Sequence, residues 1–274
     1  MADFLPPLPE NFEATRATLH AYAHAVGAIP RAHAVAQDKW WHVSLKVTPR
    51  GMVTDNIGLP CGRIVNLLMD LHSHDVVVHV SDGSETRISM TDGLTGTEMG
   101  DRIIDLVAGL DLADGYNREK FENDDPREYS PEAAATYFQA VANVSHIFQH
   151  HLQSLENGTV SQVQLWPHNF DLACEWFGTR VETYEEEGEV TEYPSQLNLG
   201  FYTAGRPYFY SNPWPFECEK LTSESLPHGA EWHTDGWEGT ILYYDQLAGD
   251  PDAAGKLLEY ATAVYDLAAP TLTA

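Results

Sequence analysis

Lysine is scarce in this 274-residue chain, with only Lys39, Lys46, Lys120, Lys220 and Lys256. Arginines bring the basic total to 15, against 41 acidic residues, for a formal net charge of −26. A surface so poor in positive charge repels nucleic acid phosphates and anionic lipid, and excludes both as partners. Cysteine is rarer still: Cys61, Cys174 and Cys218 are far apart and outside any CxxC spacing. That excludes a disulfide framework and a zinc ribbon, and points to a reducing compartment. No apolar run approaches the ~18 residues of a membrane span. The stretch Met1–Pro7 lacks the basic start and apolar core of a signal peptide, so the expected location is the cytoplasm. Absent too are a Gly-rich phosphate loop, HExxH, GxSxG and an EF-hand loop. The sequence therefore assigns no reaction, no cofactor and no oligomeric state. Asn143-Val144-Ser145 and Asn157-Gly158-Thr159 match the glycosylation sequon, which carries no meaning in a cytoplasmic protein.

What is present is a globular composition, 43% hydrophobic and 11% aromatic, long enough for one large domain or two small ones. The acid has three readings: a protein adapted to molar salt, where screening shrinks to ~3 Å, an ordinary acidic protein, or a DNA mimic that meets a basic partner. The acid is spread along the whole chain, whereas a mimic would concentrate it in rows. That favours salt adaptation, as a statement about habitat.

Hydrophobic spacing predicts a first helix over 11–29 with Phe12, Leu19, Tyr22, Val26 and Ile29 on one face. Extended segments follow at 40–48, 64–72, 76–81 and 86–90, separated by Pro49-Arg50-Gly51 and Ser81-Asp82-Gly83. A helix over 96–110 closes this half, with Met99, Ile103, Leu106, Val107 and Leu110 on one side. Residues 117–130 read as a polar linker between a first half, 1–116, and a second, 131–274. Ser130-Pro131 opens the next helix, striped by Tyr137, Val141, Val144, Phe148, Leu152 and Leu155 and ended by Asn157-Gly158. Strands are expected at 159–166, 170–177, 195–202, 207–211 and 239–244, with the glutamate-dense 182–193 as a loop or hairpin tip. Asp250-Pro251 caps a last helix.

The fold class that results is α+β, two helix–antiparallel strands–helix units with helices on one face of the sheets. Trp40-Trp41-His42 and Trp166-Pro167-His168 stand at one offset, 168 − 42 = 166 − 40 = 126. A tandem duplication about a pseudo-twofold explains both observations.

Several segments resemble a known family: Leu165-Trp166-Pro167-His168-Asn169-Phe170-Asp171-Leu172-Ala173, Tyr208-Phe209-Tyr210, Pro213-Trp214-Pro215, Trp232-His233-Thr234-Asp235-Gly236-Trp237, and Trp40-Trp41-His42-Val43. On these the chain resembles domain-of-unknown-function family 5996 over most of its length. It departs from the family after Phe177, where Gly178-Thr179-Arg180 stands in place of a serine-glycine-arginine turn. The acidic stretch that follows is a local elaboration. The resemblance implies a relative and transfers no catalytic residue.

Strand alternation marks the expected site. It places Trp41, Val43, Leu45 and Val47 on one face and Trp40, His42, Ser44 and Lys46 on the other. Later, Leu197, Leu199 and Phe201 oppose Gln196, Asn198 and Tyr202. Plain solvent exposure is normal for one face of an antiparallel sheet, but solvated faces favour Thr, Lys, Glu and Ser. Trp40, His42, Trp166, His168 and Tyr202 suit a small-molecule pocket, with Asp171, Trp232, His233 and Asp235 as further ligand-binding groups. The expected partner is thus a small molecule on a polar aromatic sheet face; the competing reading is an interaction protein using its acidic surface. Metal ligation by His42, His168 and His233 with Asp171 or Asp235 is a minority alternative. Base catalysis by His233 with Asp235 is a weaker one. His72-Ser73-His74-Asp75 and His150-His151 have poor chelating geometry, and satisfied structural histidines are the commoner case.

Overall fold

The computed structural model describes residues 3–155, 158–186 and 189–274. In chain order the elements are α1 (Phe12–His33), β1 (Lys46–Thr48), β2 (Gly51–Val53), β3 (Ile57–Gly58), β4 (Ile64–Asp70), β5 (Asp75–Val80), β6 (Glu85–Ser89) and α2 (Gly96–Ala108). Then come α3 (Pro131–Ser154), β7 (Thr159–Val160), β8 (Gln164–Trp166), β9 (Asp171–Glu186), β10 (Glu189–Tyr202), β11 (Tyr208–Ser211) and β12 (Pro213–Trp214). The chain ends with α4 (Cys218–Leu221), β13 (Glu231–His233), β14 (Gly239–Tyr243) and α5 (Ala253–Ala268). This is an α+β protein with antiparallel sheets. Its contacts divide it into two interleaved units. One, the meander unit, comprises 8–142 and 164–171; the other, the hairpin unit, comprises 1–7, 143–163 and 172–274.

In the meander unit the strands run β1-β2-β4-β5-β6, with β3 also on β4. Val65, Leu67 and Met69 of β4 and Val76 and Val78 of β5 alternate into the core, where α1 and α2 pack. The expected face of α1 is buried from Phe12 to Ile29. The helix runs on through Pro30 to His33, a turn past its expected end. α2 starts on a capping box: Thr95 Oγ1 accepts the Glu98 N–H at 3.1 Å, and Glu98 Oε2 accepts the Thr95 N–H at 2.8 Å.

The polar stretch 117–130, expected as a linker, is tied into this unit. Phe121 is buried beneath Gly100, where a Cβ would stand 2.3 Å from its ring. Thr18 Oγ1 donates to the Glu128 carbonyl at 2.7 Å, and Tyr129 meets the His74 ring at 2.9 Å. Ser130 caps α3 as expected, its Oγ accepting the Ala133 N–H at 3.2 Å. The end expected at Asn157 lies outside the described residues.

In the hairpin unit the strand order is β13-β14-β11-β10-β9-β7, with β12 also on β10. Leu172, Cys174 and Trp176 of β9 and Leu197, Leu199 and Phe201 of β10 share a buried face with Phe209 and Leu242. α5 covers it: Tyr260 and Thr240 share a hydroxyl hydrogen bond at 2.7 Å, and Tyr265 meets Trp176 edge-on at 5.2 Å. The stretch expected as an acidic loop or hairpin tip is the far part of a β-hairpin, with β9 and β10 paired out to Glu186 and Glu189 beyond a register shift between Pro194 and Gln196. Residues 187 and 188 of that stretch lie outside the described residues.

The duplication is not confirmed. Neither His42 nor His168 lies on a strand, and the sheets differ in strand number and in path.

Candidate functional site

The first tryptophan–histidine segment is not extended. Lys39 and Trp40 take left-handed backbone angles, φ 56° and 62°, and the chain curls into a 3-10 turn over Asp38–Val43. Trp40 therefore leaves the polar strand face expected for it and stands mostly exposed, with the Arg31 guanidinium 5.3 Å above its ring. His42 is buried, stacks on Trp40 at 5.5 Å, and accepts the Gln37 N–H on Nδ1 at 3.2 Å. Burial, then the Arg31 charge, lowers its pKa. A histidine so held stabilises its own turn.

The second segment also leaves its strand. β8 ends at Trp166, and residues 167–170 form a turn that closes on Phe170, itself left-handed at φ 55°. Such angles are costly for a bulky residue and persist where packing over-determines them. Here Phe170 is fully buried, stacked on Tyr137 at 5.5 Å and on His20 at 5.6 Å.

Helix α1 receives this turn. Arg16 donates to the Asn169 carbonyl at 3.2 Å, His20 Nε2 lies 3.2 Å from the His168 carbonyl, and Pro167 rests on Gly27. Val43 O also faces Gly27, so both segments meet the same stretch of α1. Leu45 and Leu165 bridge as antiparallel partners below it, and Ser44 Oγ donates to Gln164 Oε1 at 2.7 Å. Lys46 Nζ joins that network, 2.7 Å from Ser44 Oγ and 3.4 Å from Asp55. Burial lowers its pKa against the opposing pull of Asp55.

His168 itself is exposed beside Trp166, with ring centroids 5.8 Å apart, and Asp171 is buried. Sequence reasoning missed His20 and His24, one helical turn apart, whose Nε2 atoms are 3.0 Å from each other. Burial and the His24 charge push His20 down to about 4; burial and the His168 charge lower His24. The pair is therefore neutral at pH 7, one ring donating to the other. The H-x-x-x-H spacing was the available signal. Among the described residues no three His, Cys, Asp or Glu side chains gather as ligands for a metal ion.

Tyr202, Trp232, His233 and Asp235 belong to the hairpin unit. Sheet register puts Tyr202, Tyr208, Tyr210, Tyr243 and His233 on the face opposite α5. Tyr202 and Tyr208 are 5.4 Å apart, and Tyr208 and Tyr210 each lie 6.4 Å from Trp237. Trp237 in turn meets His233 at 4.5 Å. All five of these rings are half-buried. Gly200 makes the face level, because a Cβ there would lie 2.2 Å from the Tyr210 ring that crosses it. At the rim the Arg206 guanidinium sits 3.6 Å over Tyr243 and forks onto Asp245 with two 2.8 Å bonds.

Asp235 is exposed in the turn beside Trp237. Trp232 points the other way, packing on Phe216 and donating to the Glu224 carbonyl at 2.9 Å. Tyr208, Tyr210 and Trp237 carry the family resemblance but were not expected at the site, although Tyr-Phe-Tyr over 208–210 alternates as a strand with one aromatic face should.

On the opposite, α5-covered side of the sheet a narrow hollow of about 10 Å³ lies among His151, Cys174, Trp176, Leu199 and Tyr265. It falls below the roughly 300–1,000 Å³ of ligand pockets. His151 is buried there, and its Nδ1 has no hydrogen-bond partner among the described residues.

These observations define an α+β protein with an open aromatic sheet face. The chain belongs to the family of unknown function DUF5996, whose model matches residues 5–273. No curated protein and no solved structure matches it. No helix among the described residues is long and apolar enough to cross a membrane.

Proposed function

We propose that the protein binds a small, ring-bearing molecule on the aromatic face of the hairpin unit. The observation that carries this reading is the continuous run Tyr202–Tyr208–Tyr210–Trp237–His233, half-exposed on an open sheet face. Aromatic area left in water forfeits roughly 25 cal/mol for each Å². A ligand ring laid across these side chains recovers part of that and adds the geometry-specific attraction of paired rings. The net charge of −26 disfavours an anionic ligand, so the ring is neutral or cationic. His233 and Asp235 at one end supply polar groups that fix its orientation.

Ligand-observed NMR with a panel of neutral and cationic ring fragments tests this. Fragments are expected to bind the protein and to lose at least tenfold in affinity on Trp237→Ala, with the melting temperature changed by no more than a few degrees. Fragments that bind wild type and Trp237→Ala equally place the site elsewhere.

A further inference from the structure

Past Val181 and Pro194, β9 and β10 pair only with each other among the described residues; β7 reaches no further along β9 than Phe177, and β12 meets β10 at Gln196 and Leu197. The ribbon so formed has two open edges, a state that soluble proteins blunt with charge because unpaired N–H and C=O groups invite another strand. Beyond the Arg180–Glu182 ion pair at its base, the charge here is of one sign. Residues 181–194 contain six glutamates and no lysine or arginine.

Between the glutamates the ribbon carries apolar groups that bury little within it. Val181 is 51% exposed, Val190 64%, Tyr184 46% and Tyr193 47%. Register sorts them. Val181 and Pro194, Thr183 and Glu192, and Glu185 and Val190 face one way; Glu182 with Tyr193, and Tyr184 with Thr191, face the other. On that second face Tyr184 and Tyr193 gather around Trp214 of β12, with centroids 6.1 and 6.4 Å from it.

We infer that the ribbon is a docking arm for an extended, lysine- or arginine-rich segment of a partner protein, which adds as a third strand on an open edge. Main-chain pairing supplies the attachment. Alternate basic side chains share one face of the added strand, where they meet Glu182 and the ring faces of Tyr184 and Tyr193, while Glu185 and Glu192 add attraction from the other face. A second copy of this chain fits poorly, because edge-to-edge pairing of two ribbons would bring twelve glutamates into one four-stranded sheet, and like charges placed opposite one another destabilise a sheet. Phosphate-bearing partners are repelled for the same reason.

Two labelled decapeptides of equal charge separate strand addition from general attraction to an acidic protein: five Lys-Val repeats, and five Lys-Pro repeats whose prolines cannot donate to a ladder. By fluorescence anisotropy in 0.1 M KCl the Lys-Val peptide is expected to bind at least tenfold more tightly. Glu182→Gln/Glu185→Gln/Glu192→Gln should lose at least tenfold of that affinity, and so should Tyr184→Thr/Tyr193→Thr, which keeps every charge. The far-ultraviolet circular dichroism and melting temperature of each variant confirm that it folds. Equal affinity for the two peptides, or no change in either variant, overturns the inference. So does a concentration-dependent dimer in sedimentation that the same substitutions abolish.

Discussion

His151 is buried against Tyr265, 6.1 Å edge to face, in the core of the hairpin unit. Burial, with His150 alongside, pushes its pKa down from 6.5 to about 4. The folded state therefore holds this ring neutral in a range where the unfolded chain protonates it. Stability from this group is complete above pH 6.5 and is lost as pH falls from 6.5 through 4. At about 1.4 kcal/mol per pKa unit the loss is at most on the order of 3 kcal/mol. Replacing His151 with leucine is expected to flatten urea-derived stability across that window relative to wild type. A pH profile parallel to wild type would assign the acid sensitivity elsewhere, to His20 first. The α3 stripe separates His151 from His150, since His151 stands three residues after Phe148 and seven after Val144 and so on the buried face. Trp40, by contrast, was misplaced. Trp-Trp-His-Val has strand propensity, and the turn that replaces the strand is held by side-chain contacts that propensity does not weigh, Arg31 over Trp40 and His42 back onto Gln37.

Elements were legible where one periodicity ruled a segment. The buried stripes of α1 and α3 and the alternation of β4 and β10 could be read directly, since each repeats over four or more residues. The β9–β10 ribbon was legible only as a loop or hairpin tip, because glutamate is depleted in strands and masked the alternating Val, Thr and Tyr beneath it. The aromatic face was legible in β10 through Tyr202. It was incomplete without the register that brings β11 and the 234–238 turn beside it. Within that face Gly200 has a steric task. Gly200→Val puts branched carbon where the Tyr210 ring lies, 2.2 Å from an ideal Cβ, so the ring must lift. Overpacking of this kind costs about 1–3 kcal/mol. The variant is expected to melt several degrees lower and to lose fragment binding. Retention of both would show that Tyr210 has room to move and that the face is not a fixed platform.

For the molecule as a whole the charge of −26 is the dominant long-range term. Carboxylates repel one another over a Debye length of about 30 Å at 0.01 M salt and about 3 Å at 1 M. The melting temperature should therefore climb steeply from millimolar to molar KCl; a flat curve would mark an ordinary acidic protein. The interleaving of the two units bears on something else, the order in which the chain can fold as it is made. Leu5 accepts a backbone bond from Gly249, and Pro6 accepts the Tyr244 hydroxyl across 238 residues of sequence. Phe4 accepts from Asn143. On the ribosome these three carbonyls emerge long before their donors, and the buried Leu5 side chain waits with them. Residues 8–142 and 164–171 can fold together earlier, whereas the hairpin unit stays unsealed until its last strands are released. The earliest-made residues it uses are thus among the last to dock, and a nascent chain halted before Tyr244 presents an unburied apolar end to chaperones.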